Sequence, residues 1–189
     1  QMCIRDRAPS GWQVSFKPSG EATQIAAIDI DSAGTQGISV TVIPPENVEA
    51  GEYKIPITAV SSKETMNLDL NVNITGTYGL TVTTPTGLLS LDTSAGKESA
   101  VTLNVMNTSN VPLENISLTS SAPAGWTVEF DNSTIESLDA GATKEVVAHI
   151  TPGEDAMTGD YVTSISASVA ETSASAEFRV TVKTATVWG

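Results

Sequence analysis

The sequence is short of most of the groups that do chemistry. It has one Cys and one His in 189 residues. A single Cys forms no internal disulfide, and one Cys with one His builds no Cys/His zinc site. Cations are scarce: nine Lys and Arg stand against 22 Asp and Glu, for a net charge of −13. So few positive groups argue against a surface that grips nucleic acid or an anionic membrane. No run of 18 apolar residues exists, so nothing in the sequence reads as a transmembrane helix. Aromatics are also few, three each of Trp, Tyr and Phe. What fills the chain is Thr, Ser and Val. Charged residues make only 16% of it, hydrophobic ones 40%. β-Branched side chains suit pleated, half-buried surfaces, so this is the profile of a β-rich domain and not of a disordered acidic tail.

Residues 1–7 read differently from the rest. Met2-Cys3-Ile4-Arg5-Asp6-Arg7 holds the only Cys and two of the nine basic residues. It lacks the apolar stretch of a signal peptide. It resembles adaptor sequence translated at the end of an assembled read. The expectation is a non-native leader over 1–7 that stays outside the fold; a native strand edge is the alternative.

A repeat runs along the remainder. Ala8-Pro9-Ser10-Gly11-Trp12 recurs as Ala122-Pro123-Ala124-Gly125-Trp126, each followed by a short strand ending in Phe, at Phe16 and Phe130. Ser32-Ala33-Gly34 matches Asp139-Ala140-Gly141. Ile38 to Ile43 matches Val146 to Thr151, each running into proline. Gly51-Glu52-Tyr53 matches Gly159-Asp160-Tyr161. Four landmarks in one order predict two copies of one domain, the first carrying a longer segment between Phe16 and Ile30.

Within each copy the apolar residues alternate. Ile38, Val40 and Val42 do so, then Leu68, Leu70, Val72 and Ile74; in the second copy Val101, Leu103 and Val105, then Phe178, Val180 and Val182. A period of two marks strands with one buried face. Turn signals separate them, and no window shows helical periodicity. The predicted fold is all-β: tandem immunoglobulin-like antiparallel β-sandwiches, the first N-terminally truncated. Trp12 and Trp126 are expected between the sheets, where truncation of a Trp to Ala costs about 3–5 kcal/mol. Gly-x-Tyr opening a late strand is where a Tyr hydroxyl can bond back to the preceding loop, as in a tyrosine corner. The expected organisation is a partial module at 8–76, a hinge at Gly76-Thr77, a complete module of seven or eight strands at 78–183, and the start of a membrane-proximal segment at 184–189.

The motifs Ala-Pro-x-Gly-Trp-x-Val-x-Phe, Leu-x-Ala-Gly (Leu138 to Gly141), the Val/Ile strand into Pro, and Gly-Asp-Tyr together resemble the NPCBM-associated, or NEW, domain of alpha-galactosidases. The segments Val101 to Thr108 and Val111 to Ile116 fit that family's opening strands. The resemblance covers about 99–170, and again 8–59 in part. It implies a small immunoglobulin-like sandwich without catalytic residues of its own, found beside glycosidase and carbohydrate-binding domains. It also implies tandem repeats outside bacterial or archaeal membrane proteins, ahead of a C-terminal membrane helix. The closing Val180 to Gly189 resembles that second setting, and Trp188 would suit the headgroup region.

Chemical candidates are weak. His149 alternates away from Val146, Ala148 and Ile150 and has no second His or native-looking Cys beside it. Ser and Thr abound, but a base to activate them is lacking. Glu46, Glu49 and Glu52, with Glu154, Asp155 and Asp160 in the matched loop, read as solvated acidic loops and not as a glycosidase pair. Asp29 with Asp31, or Asp155 with Asp160, could face calcium, but no EF-hand spacing exists. Seven of the nine aromatics are read as core; Tyr78 and Trp188 are free to stack on a sugar. Asn73, Asn107, Asn115 and Asn132 lie in Asn-x-Ser/Thr motifs that a Ser/Thr-rich chain yields by chance. No catalytic, cofactor-binding or metal residue is therefore expected, and no cofactor. The expected function is a non-catalytic extracytoplasmic repeat of a membrane-anchored surface protein, a spacer or protein-interaction module. Its partner would be a protein at the cell surface or, more weakly, a polysaccharide; nucleic acid is not expected. The alternative is an accessory module of a glycosidase.

Overall fold

The computed structural model describes residues 1–185. Trp188, and with it most of the membrane-proximal segment expected at 184–189, lies outside the described residues. Those residues form fifteen strands and no helix. Contacts divide the chain into two compact units, Gln1–Thr75 and Gly76 onward.

Unit 1 contains β1 (Met2–Asp6), β2 (Gln13–Pro18), β3 (Ala27–Ile28), β4 (Ile38–Ile43), β5 (Gly51–Val60) and β6 (Thr65–Ile74). They make one sheet in the order β3-β1-β5-β6 and a second of only β2-β4. Unit 2 contains β7 (Leu80–Thr83), β8 (Ser90–Ser94), β9 (Ser99–Asn107), β10 (Leu113–Ser121), β11 (Thr127–Phe130), β12 (Thr134–Leu138), β13 (Thr143–Thr151), β14 (Gly159–Ser168) and β15 (Ser173–Lys183). Its sheets are β12-β10-β14-β15-β8 and β11-β13-β9-β7. Inward residues of both sheets, among them Leu103, Val105, Ile116, Val146, Ile165, Phe178 and Val180, form one buried cluster. This is the two-sheet immunoglobulin-like sandwich.

The two units share register as well as order. Phe16 pairs with Val40 as Phe130 pairs with Ala148, and Tyr53 with Val72 as Tyr161 with Val180. β2, β4, β5 and β6 thus correspond to β11, β13, β14 and β15. The added length of unit 1 lies before Ala27, where Ile25 turns in against its small core.

Four expectations need correction. Residues 2–6, set aside as a leader, are a strand. Ile4 is buried against Phe16 and Ile57 and pairs with Ala59, as Leu118 of β10 pairs with Ala167. Alternation from Met2 through Ile4 to Asp6 suffices to pair with a sheet edge, whatever the origin of the segment. Cys3 on the opposite face is exposed. Second, unit 2 has nine strands, and one pairing is parallel: β8 runs alongside β15. The chain leaves β7 in one sheet, turns at Thr84–Gly87, and enters the other in the direction of β15. Third, Trp12 and Trp126 are only half-buried; Trp126 packs against the buried cluster but also lines an open hollow, and Trp12 is not among the residues packed on the small core of unit 1. The fully buried aromatic of unit 2 is Phe178. Fourth, Gly76-Thr77 belongs to unit 2: the Thr77 amide donates to Asn110 Oδ1, and the Asn110 amide to the Thr77 carbonyl.

Candidate functional site

Three places in the molecule gather the groups that could act. The first is the end of unit 2 where the loop before β11 meets the loop before β14. Pro123-Ala124-Gly125-Trp126 is a β-turn closed by the Trp126 amide on the Pro123 carbonyl, with Gly125 at φ +83°. A residue with a side chain is strained there. The turn lays the Trp126 ring against Tyr161, centroids 5.0 Å apart and planes tilted by 52°. Tyr161 in turn donates its hydroxyl to the Met157 carbonyl, four residues back, at 2.8 Å. Gly159, φ +149°, makes the sharp entry into β14 that lets this happen. Around them Gly153, Glu154 and Met157 line an open hollow of about 510 Å³.

Unit 1 repeats the arrangement. The Trp12 amide donates to the Pro9 carbonyl, Gly11 has φ +87°, and Trp12 and Tyr53 lie 5.0 Å apart. Tyr53 donates to the Glu49 carbonyl, again four residues back and at 2.8 Å. The expected tyrosine corner is thus present in both units. Its hydroxyl is spent on the backbone, so what the corner offers to a ligand is the partly exposed ring edges and the acidic loop.

The second place is His149 on β13. Its Nδ1 lies 2.5 Å from Glu98 and its Nε2 2.6 Å from Asp131. Glu98 immediately precedes β9 and Asp131 immediately follows β11, so the ring ties three neighbouring strands. A neutral imidazole donates from one nitrogen only; two carboxylates on two nitrogens call for the doubly protonated ring. The hydrogen bond to Asp131 is the largest influence and raises the His149 pKa above its ordinary 6.5; desolvation opposes it, and the charges of Asp131 and Glu98 with the Glu98 hydrogen bond add smaller upward pulls. The ring fastens neighbouring strands, with both nitrogens engaged by carboxylates and none left to act as a base.

The acidic candidates are dispersed. Asp160 on β14 accepts from Thr181 Oγ1 at 2.6 Å and faces Arg179 at 3.4 Å, whereas Asp155 lines the hollow beside Trp126. Asp29 lies 3.6 Å from the N-terminal amine, and the Asp31 carbonyl closes a turn with Gly34. Among the described residues, no three His, Cys, Asp or Glu side chains converge as a metal site would need.

Sequence reasoning missed a residue that matters more to the fold. Asn107 is fully buried and donates its amide to the carbonyls of Val111, Leu138 and Asp139, while its Oδ1 accepts from the Ser109 amide. One side chain so holds the end of β9, the turn into β10 and the turn after β12. The signal in the sequence was only an Asn after an alternating run.

The third place is in unit 1. Its two-strand sheet leaves much of the larger sheet uncovered. Met66 and Leu68 of β6 are each 60% exposed. With Ile4, Phe16, Ile38, Val40 and Ile57 they line an apolar groove of about 480 Å³.

Residues 93–170 match the family model of the NPCBM-associated, NEW3 domain of alpha-galactosidase. The match lies within unit 2 and spans β9 to β14 with the corner and His149. No curated protein matches the sequence. Among solved structures, the I-band fragment I67–I69 of titin is similar at 10% identity, covering 97% of this chain and 60% of that one, with a TM-score of 0.41. The titin domains z1z2 in complex with telethonin are similar at 11% identity, covering 98% and 89%, with a TM-score of 0.39. A family 123 glycoside hydrolase from Clostridium perfringens is similar at 15% identity, covering 57% of this chain, with a TM-score of 0.36. The chain spans about a quarter of that hydrolase's length, 27%.

Proposed function

We propose that the chain is a non-catalytic run of extracytoplasmic β-sandwich modules in a membrane-anchored surface protein, working as a spacer or as a platform for a protein partner. The observation that supports this most is what the two units have in common. The recurring residues are the turn glycines, the Trp–Tyr pairs, the Tyr-to-carbonyl hydrogen bonds and the strand register, all of which hold a sandwich together. The His149 cluster does not recur, since His149 has Thr41 as its counterpart and Asp131 has Lys17; the carboxylates that do recur, Glu46 with Glu154 and Glu52 with Asp160, are exposed to solvent. A repeat that keeps its scaffold and varies its polar surface fits a structural or adhesive role. The acidic surface would keep such a module soluble. Anchoring through a C-terminal membrane helix is part of the proposal and rests on the family resemblance. Fractionation of cells making the natural full-length protein tests it. Recovery in the membrane fraction, cleaved by protease added outside, is expected; release with the cytosol refutes it.

A second reading is an accessory module of a glycosidase. The alpha-galactosidase family match favours it, as do the partly exposed rings of Trp126 and Tyr161 beside Glu154. Affinity electrophoresis against a panel of polysaccharides separates the two. The spacer reading expects no retardation by any sugar. Retardation that disappears on Trp126→Ala establishes the second.

A further inference from the structure

We propose that the open apolar face of unit 1 is a strand-acceptor site, filled by an uncharged strand pair in the mould of β7 and β9 that the same polypeptide supplies on the N-terminal side of β1. This rests on reading the two units as copies of one module. Unit 2 shows what belongs on the face. The edge of β13 that is free of β11 pairs with β9, Val146 opposite Leu103 and Ala148 opposite Val101. β7 then pairs with β9. The counterparts of Val146, Ala148 and Ile150 in unit 1 are Ile38, Val40 and Val42 on β4. Among the described residues, no strand pairs with the second edge of β4.

The consequence is visible in exposure. Val146, Ala148 and Ile150 are buried, whereas Val40 is exposed and Ile38 and Val42 are only half-buried. On the opposite sheet, Ala176 is 5% exposed where its counterpart Leu68 is 60% exposed. Edge strands are normally guarded by charge, proline or a bulge. β4 has no charge and no proline between Ile38 and Ile43, so it is built to be paired.

Charge selects the occupant. The groove is lined by apolar side chains and the two amides Gln36 and Asn67, with no ionised group. β7 and β9 likewise carry no charged residue. A second copy of this chain would bring another −13 to the contact, which disfavours self-association. The occupant is therefore an extended pair with an apolar residue at every second position, one of them opposite Ile38 and one opposite Val40.

Register gives the test. Met2 corresponds to Ile116, because Ile4 corresponds to Leu118. A lengthened chain is made in which a second copy of residues 76–115 directly precedes Met2, in place of Gln1. Amide hydrogen exchange is followed on β4 in this chain and in residues 1–189. In 1–189 the amides of Ile38, Val40 and Val42, which alternate with those bonded to β2 and so face the open edge, are expected to exchange fast. In the lengthened chain they are expected to slow by about 100-fold or more, and the same addition carrying Leu103→Ser and Val105→Ser is expected to slow none of them. A synthetic peptide of residues 97–109 added to 1–189 serves if the lengthened chain misfolds; it should slow the same amides. Unchanged exchange on β4 with both probes overturns the proposal. So does slow exchange in 1–189 itself accompanied by a dimer in sedimentation, since a second copy would then fill the groove. Neither result bears on polysaccharide retardation or membrane recovery, so failure here is distinct from failure of the proposed function.

Discussion

The two units carry the same corner and the same register on very different cores. In unit 2, sixteen residues form the buried cluster; in unit 1, the corresponding cluster is Ile4, Phe16 and Ile57. Yet Trp12 and Tyr53 sit at the same 5.0 Å as Trp126 and Tyr161. Each half of the corner is local: a Pro-x-Gly-Trp turn places the Trp, a Gly-x-Tyr entry places the Tyr, and the Tyr hydrogen bond spans four residues. The core is not local. It needs both sheets, and unit 1 has only two strands in its second sheet. Corner geometry therefore says little about stability, and the units should respond unequally to the same perturbation.

The largest expected difference is between the units on their own. Residues 76–185 should unfold in one cooperative transition in urea. Residues 1–75 should show a broad, shallow change or aggregate, because little apolar area leaves water and two sheet edges stay open. A sharp transition for 1–75 would erase the contrast between the units. Next, Phe178→Ala should destabilise unit 2 by about 3–5 kcal/mol, the range for emptying a buried aromatic site. Leu70→Ala, its counterpart in half-covered unit 1, should cost about 1 kcal/mol or less. Chemical denaturation of the full chain checks both, and equal losses would show unit 1 to be as well packed as unit 2. Asn107→Ala should cost about 2–4 kcal/mol, since the buried Leu138 carbonyl, two part-buried carbonyls and the buried Ser109 amide lose their partner together. A loss below about 1 kcal/mol would mean that water replaces the side chain.

A smaller and opposite effect is expected at Thr163. Its hydroxyl is fully buried without a hydrogen-bond partner. Its counterpart in unit 1 is Ile55, also fully buried. Unit 1 thus holds an apolar side chain at the matching register position. Thr163→Val keeps the shape and removes the orphaned hydroxyl, so unit 2 should gain about 1 kcal/mol. A loss instead would reveal a partner for Thr163 Oγ1.

Comparing copies also separates what the sequence disclosed from what it hid. Strands were legible because Ile38-x-Val40-x-Val42 and Phe178-x-Val180-x-Val182 alternate, and alternation is a local property. The corner was legible because Gly-x-Tyr and Pro-x-Gly-Trp recur. Three features were not. β1 was set aside on its foreign composition, although pairing depends on backbone and on Ile4 alone reaching the core. The parallel β8 follows from a chain crossing between sheets, which no periodicity records. Asn107 and His149 take their roles from partners distant in sequence. Leu138 and Asp131 reach them only through the fold, so a lone Asn and a lone His looked idle. The Trp residues erred the other way: size suggested the centre, but each is only half-buried.

His149 supplies the smallest and most selective contrast, because Thr41 stands at its place in unit 1. The folded pKa is raised above 6.5, chiefly by Asp131 and then by Glu98. The unfolded chain has lost those partners, so its His titrates near the ordinary value. The folded state then binds the proton more tightly, and the stabilisation is fully present below pH 6.5. It fades as pH rises from there through the raised pKa, and above that the neutral ring can satisfy only one carboxylate. Unit 2 should therefore become slightly less stable across that window while unit 1 does not change. His149→Gln, which keeps polarity without the titration, should flatten the dependence. The ring is partly exposed, so added salt should weaken the effect by screening. NMR titration of the His149 ring protons reads the pKa directly. A value at or below 6.5 would show that the two carboxylates do not hold the ring in solution.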